Sequence, residues 1–203
     1  MQDLNDEYKR VRYPFWLLWV GVGTLFTTVA FNMGYYIGSA EIFEGLLAFG
    51  VPGGILVGIV QWLALRPYLR QASWWILVTI IGWEIGWIIV SYLPEILVRD
   101  WFYWPVSGLL LGITIGIAQW VILRQQVSDA YWWIGANILA GFLGSVIGSY
   151  IGKTLEFRRG DILGAIIFEI VYSLIFGIIF TVITGTVLVW LLSRTPYLKS
   201  VQK

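Results

Sequence analysis

Between residues 14 and 192 the chain alternates long apolar runs with short polar punctuation, six times over. A bilayer is spanned by about 20 consecutive apolar residues folded as a helix, because lipid offers no partner to an open backbone N–H or C=O. The runs fall at about 14–38, 44–65, 74–93, 105–123, 132–152 and 162–192. They predict an all-α polytopic membrane protein of about six transmembrane helices. The last run exceeds one perpendicular crossing, so it predicts either a tilted helix or first turns around Glu169 lying at the interface. Composition agrees: 59% of residues are hydrophobic and 12% charged, against about 25% charged in soluble domains. So little charge cannot cover a globular surface in water, which excludes a soluble enzyme. Disordered chains are poor in aromatics, and this one carries 13 Trp.

The chain has no His and no Cys. Disulfides, thiolate nucleophiles, His- or Cys-ligated metal or haem, and imidazole-based dyads are therefore excluded. No cofactor is legible in what remains. A net charge of +1 leaves no electrostatic footprint for nucleic acid. Residues 1–13 are polar, and the apolar run after them lacks a small-residue cleavage site. They predict a retained cytosolic tail rather than a removed signal, followed by one membrane domain over 14–193 and a second tail over 194–203.

An even number of spans puts both termini on one side. Lys9, Arg10, Arg12, Arg66, Arg70, Arg124, Arg194, Lys199 and Lys203 fall on that side, and Arg99, Lys153, Arg158 and Arg159 on the other. The positive-inside rule then places both termini in the cytosol. Trp62, Trp74, Trp75, Trp120, Trp132, Trp133 and Trp190 fall near the same boundary, where an aromatic belt is expected.

Residues 50–92 align without a gap to 108–150, an offset of 58. Gly50/Gly108, Gly54/Gly112, Gly58/Gly116, Gln61/Gln119, Trp62/Trp120, Arg66/Arg124, Trp74/Trp132, Trp75/Trp133 and Tyr92/Tyr150 are identical. Generic apolar runs align Leu with Ile; they do not align Gln-Trp, Arg and Trp-Trp together. Each unit reads as a helical hairpin: a glycine-ridged helix ending Gln-Trp-x-x-Leu-Arg, a short turn, and a helix opening Trp-Trp. Trp190 and Arg194 repeat the Trp-to-Arg spacing at the end of the sixth run, and Phe15-Trp16 echoes the Trp-Trp opening of the first. The first and last spans would then pair to close a pseudo-threefold bundle. Hairpin repeats of this kind are parallel in topology, unlike the inverted repeats of many transporters.

Gly50, Gly54, Gly58 and Gly108, Gly112, Gly116 stack at four-residue spacing on one helix face, and Ala140, Gly144, Gly148 and Gly152 extend the pattern. Such ridges let backbones approach closely in lipid; the alternative is a groove that admits a flat ligand. Gln61, Trp62, Arg66 and Gln119, Trp120, Arg124 end two helices at the cytosolic face. They read as interfacial anchors, with each Gln able to bond across to a neighbouring helix, or, more sharply, as a site for an anionic lipid headgroup. Pro52-Gly53-Gly54 occurs in one copy only and reads as a packing kink.

The Gly-x-x-x-Gly-x-x-Gln-Trp-x-x-Leu-Arg block followed by Trp-Trp, over residues 50–150, resembles uncharacterised multi-pass membrane proteins of cyanobacterial type. The resemblance implies a bacterial plasma or thylakoid membrane and no particular chemistry.

Two functions compete. Gly-ridged faces, abundant Trp and short loops suit a non-enzymatic scaffold, assembly or accessory subunit that docks on lipids, on other membrane proteins or on itself. Pseudo-symmetry and an intramembrane carboxylate suit a small transporter, channel or substrate-capture subunit. That carboxylate is Glu84, midway along the third run between Trp83 and Trp87. An ionisable group there costs about 2.5 kcal/mol or more, which favours a protonated carboxyl acting as a hydrogen-bond donor. At 100° per residue Glu84, Trp87 and Ser91 share a face, with Gly82 and Gly86 nearly opposite. The second copy has Phe142 at this place, so Glu84 is an addition to an otherwise symmetric frame. The plain alternative is a neutral Glu bonded to a neighbouring helix.

Overall fold

The computed structural model describes residues 2–38, 47–93, 102–157 and 161–194. They form six helices, with no strand among them: α1 Gln2–Gly38, α2 Leu47–Leu65, α3 Trp74–Ser91, α4 Tyr103–Leu123, α5 Trp132–Phe157 and α6 Ile162–Arg194. Apolar stretches long enough to cross a bilayer occur in all but α2. In α2 the 19 residues reach about 28 Å at 1.5 Å per residue, close to the hydrocarbon thickness. The expected start of the second span at Glu44, the tail after Arg194, and Arg99, Arg158 and Arg159 lie outside the described residues.

Two helices run well past the sequence expectation. The helix α1 continues through the polar segment to Gln2, with Pro14 inside it and its apolar stretch at Pro14–Met33. Glu, Lys and Arg are good helix formers, so polarity ended the membrane segment without ending the helix. The helix α5 runs on to Phe157. The helix α6 is one unbroken element of 33 residues, about 50 Å long, longer than one perpendicular crossing, and Glu169 is buried within it.

Each helix packs against its neighbours in chain order, and α1 packs against α6, which closes a ring. Glycine explains the closeness of the pairs. A Cβ placed on Gly54 would lie 2.8 Å from the Ile80 Cα, and one on Gly58 3.1 Å from the Ile76 Cα. In the second hairpin Gly112 meets Ile138 and the Asn137 carbonyl, Gly116 meets Ile134, and Gly108 meets Gly141 and Ser145. Gly144, Gly148 and Gly152 seat Phe176, Tyr172 and Phe168 of α6. The ridges are packing surfaces. Between α6 and α1 the small residues are mostly threonine, and Thr24 and Thr181 hydroxyls bond at 2.9 Å. The outer surface presents Leu17, Leu25, Ile81, Ile85, Leu139 and Ile178 to lipid.

The axis of the ring is filled. At the end carrying Arg66, Arg124 and Arg194, hereafter the arginine end, the indoles of Trp19, Trp75 and Trp133 meet. Trp133 stands edge-on to both others, with centroids 6.2 and 5.9 Å away. Leu65, Leu123, Leu188 and Leu191 close this layer. In the opposite half Phe31 contacts Trp83, Tyr172 and Phe176, and Trp104 lies 4.4 Å from Tyr172. Such ring pairs add about 0.5–1.5 kcal/mol each beyond area burial.

Candidate functional site

The two glutamines expected at the headgroup level are inside the ring. Gln61 is 6% exposed and Gln119 fully buried. The Gln61 Oε1 accepts from Trp75 Nε1 at 2.8 Å and from Gln119 Nε2 at 2.9 Å. The Gln119 Nε2 also donates to Thr79 Oγ1 at 2.9 Å, while its Oε1 accepts from Trp133 Nε1 at 3.0 Å. This chain of bonds ties α2, α3, α4 and α5 together across the axis. Its placement corrects the headgroup assignment for Gln61 and Gln119. It also removes Trp75 and Trp133, which are 0% exposed, from the interfacial belt, whereas Trp74 and Trp132 are more than half exposed. Consecutive helical residues point about 100° apart, so only one indole of each Trp-Trp pair can face inward. The third such indole, Trp19 on α1, donates to Thr184 of α6 at 3.2 Å.

The other members of the expected headgroup set end their helices at the arginine end as separate Trp–Arg pairs. Arg66 sits over the Trp62 ring at 5.9 Å, Arg124 over Trp120 at 4.7 Å, and Arg194 over Trp190 at 4.2 Å. All three guanidinium groups belong to exposed residues, and stacking holds each cation against its own helix. The turns here are linked. The Arg70 backbone N–H donates to Gln126 Oε1 at 2.7 Å, Arg194 pairs with Asp129 at 3.6 Å, and Phe15 meets Tyr68 edge-on at 5.0 Å. Burial pushes the Tyr68 phenol above its ordinary pKa.

The Glu84 group is divided. Gly82 and Gly86 abut Ile115 and Leu111 of α4, as expected for the face opposite Glu84. Trp83 is buried in the axis, and Trp87 stands edge-on to Phe31 at 6.2 Å. Ser91 is exposed and donates to the Ile88 carbonyl of its own helix. Both Glu84 carboxyl oxygens are shielded and have no hydrogen-bond partner among the described residues; the same holds for Trp83 Nε1. A shielded polar atom without a partner requires an explanation, commonly a bound water or ion.

A feature the sequence did not signal lies on the outer surface between α4 and α5. Pro105, Val106, Leu109, Phe142 and Val146 line an apolar groove of about 940 Å³ that ends at Tyr150 and Lys153. The groove follows from helices held close at Gly108 and Gly112 while larger side chains flank the crossing. Inside the ring the void beside Thr27, Gln61 and Thr79 is only about 10 Å³, room for no more than a single water. Among the described residues no group of His, Cys, Asp or Glu is arranged to hold a metal.

No family model matches this chain, and no solved structure matches it. A curated protein described as the vitamin B12 import system permease protein BtuC of Photorhabdus laumondii is 27% identical over 143 residues. The match covers 66% of this chain and 40% of that permease, so the chain spans well under half its relative's length. Similarity to a permease and the apolar helices together describe an integral membrane protein in contact with lipid.

Proposed function

We propose that this chain is a non-enzymatic membrane subunit that works through its outer faces, docking on lipids or on other membrane proteins as a scaffold, assembly or accessory component. The filled axis carries the reading. Two plugs, one of Trp and Leu and one of Phe, Tyr and Trp, enclose a hydrogen-bonded polar layer, so the described residues leave no conduit along the axis. A large concave surface faces outward, in the α4–α5 groove, and the stacked arginines offer exposed cations at the opposite end of the bundle. A bacterial plasma or thylakoid membrane with both termini in the cytosol is the setting proposed with it. Reporter fusions after Lys203 and within residues 153–161 should then report opposite sides; the same side for both would overturn the six-span topology.

The permease similarity favours a second reading, in which the chain is a transport or substrate-capture subunit within a larger assembly and Glu84 serves the transported solute. Purification from native membranes in mild detergent separates the two. With a photo-crosslinker at Phe142 or Val146, one stoichiometric membrane-protein or lipid adduct supports docking. An isolated, adduct-free particle that retains a small solute moves the assignment to transport.

A further inference from the structure

Two departures from the duplicated pattern meet at one place. Pro52 on α2 stands where the second copy has Leu110, and Glu84 on α3 stands where it has Phe142. Gly54 packs on Ile80 and Gly58 on Ile76. Four residues back along α2 therefore correspond to four residues forward along α3, and residue 50 stands level with Glu84. Proline has no N–H, so Pro52 inside α2 leaves the carbonyl of residue 48 without its helical donor. That oxygen points toward the C-terminus of α2 by roughly one to two residues, which brings it to the height of residue 50 and of Glu84. The second hairpin makes the same contacts at Gly112–Ile138, Gly116–Ile134 and Gln119–Trp133, and there Val106 and Phe142, equivalent to residues 48 and 84, line one groove.

The seam thus holds a carboxyl group with both oxygens shielded and without a partner among the described residues, level with a backbone carbonyl that has lost its helical donor. Trp83, the next residue, packs its indole against Gly53 and also lacks a partner for Nε1. Apart from Glu84, no titratable residue lies on α2 or α3 within the described helices, and α4 carries only Tyr103. We propose that the Glu84 carboxyl and the residue 48 carbonyl form a site for one monovalent cation in the outer seam between α2 and α3. A proton fills it when Glu84 is neutral and donates to the carbonyl; an alkali ion fills it when the proton has left, held by two protein oxygens and water. Broken helices supply carbonyls to Na⁺ and H⁺ in this way. The proposal goes beyond the docking reading and stands or falls without it.

A hydrophobic carbodiimide tests it, since the reagent adds to protonated carboxyl groups in apolar surroundings. The whole chain in detergent is treated in NaCl or in choline chloride of equal ionic strength, and Glu84 modification is read by peptide mass spectrometry. Modification in choline chloride is expected, slowed about tenfold by Na⁺ at about ten times its dissociation constant. Pro52→Leu, which restores the N–H with the residue found at position 110, should keep the modification and lose the Na⁺ protection. Glu84→Gln should remove the labelled peptide and leave the particle intact. No labelling of Glu84 in either salt, equal labelling in both, or full Na⁺ protection in Pro52→Leu would each overturn the site.

Discussion

Leucine in place of Gly112 is expected to prevent α4 and α5 from closing, with a loss of stability at or above the upper end of the roughly 1–3 kcal/mol typical of overpacking. The reason is what a side chain would strike. A Cβ on Gly112 runs into the Asn137 backbone carbonyl, with the Ile138 Cα only 3.1 Å away. Backbone inside a 26-residue helix cannot swing aside as a flexible side chain can. Gly54→Leu should behave alike, because its obstacle is the Ile80 Cα at 2.8 Å. Gly135 supplies the contrast: it is exposed, with nothing within 4 Å of its would-be Cβ. Gly135→Ala is expected to be neutral or to stabilise by up to about 1 kcal/mol through helix propensity. Thermal unfolding in detergent with size-exclusion profiles checks all three. Wild-type behaviour of Gly112→Leu would mean that the ridge does not carry the hairpin.

Helix positions were legible because lipid leaves a chain few choices: each apolar run must satisfy its own backbone. Which face of a helix turns inward was legible where glycine marked it, and was lost where a polar residue sat near an expected interface. Gln119 shows why. Its depth suits a headgroup partner as well as a bond to a neighbouring helix, and what decides is that it lies three residues beyond Gly116, on the stripe that starts at Gly108 and Gly112. Extending the stripe by one step would have placed it, and Gln61 after Gly58, inside the ring. The Trp-Trp pairs carried the same hidden choice, since depth cannot separate Trp74 from Trp75 but azimuth can. The α4–α5 groove was not legible at all, because it depends on how far two helices diverge beyond their crossing. Glu84 was legible as an anomaly; its association with Pro52 required the register that Gly54 and Gly58 set.

The buried glutamine network should yield the other large effect. Gln119→Leu removes the acceptor of Trp133 Nε1 and one donor to Gln61 and Thr79. A buried donor left alone costs about 1–3 kcal/mol in protein interiors, whereas hydrogen bonds between membrane helices average nearer 0.6 kcal/mol. The Trp133 indole is fully buried with no lipid-exposed route to another acceptor, so a loss of about 2 kcal/mol is expected. The paired variant discriminates the cause. Trp133→Phe removes the stranded donor, so Gln119→Leu combined with Trp133→Phe should be less destabilised than the sum of the two single variants. Additive losses would show that packing volume, not the bond, sets the cost. The same cycle on Gln61 and Trp75 should show coupling of similar size, because Trp75 Nε1 donates to Gln61 Oε1 at 2.8 Å. Cross-coupling between Gln61 and Trp133, which share no bond but are linked through Gln119, separates one continuous network from two private pairs. A measurable term there is expected, because the Gln119 amide bonds both at once and so fixes one hairpin relative to the other.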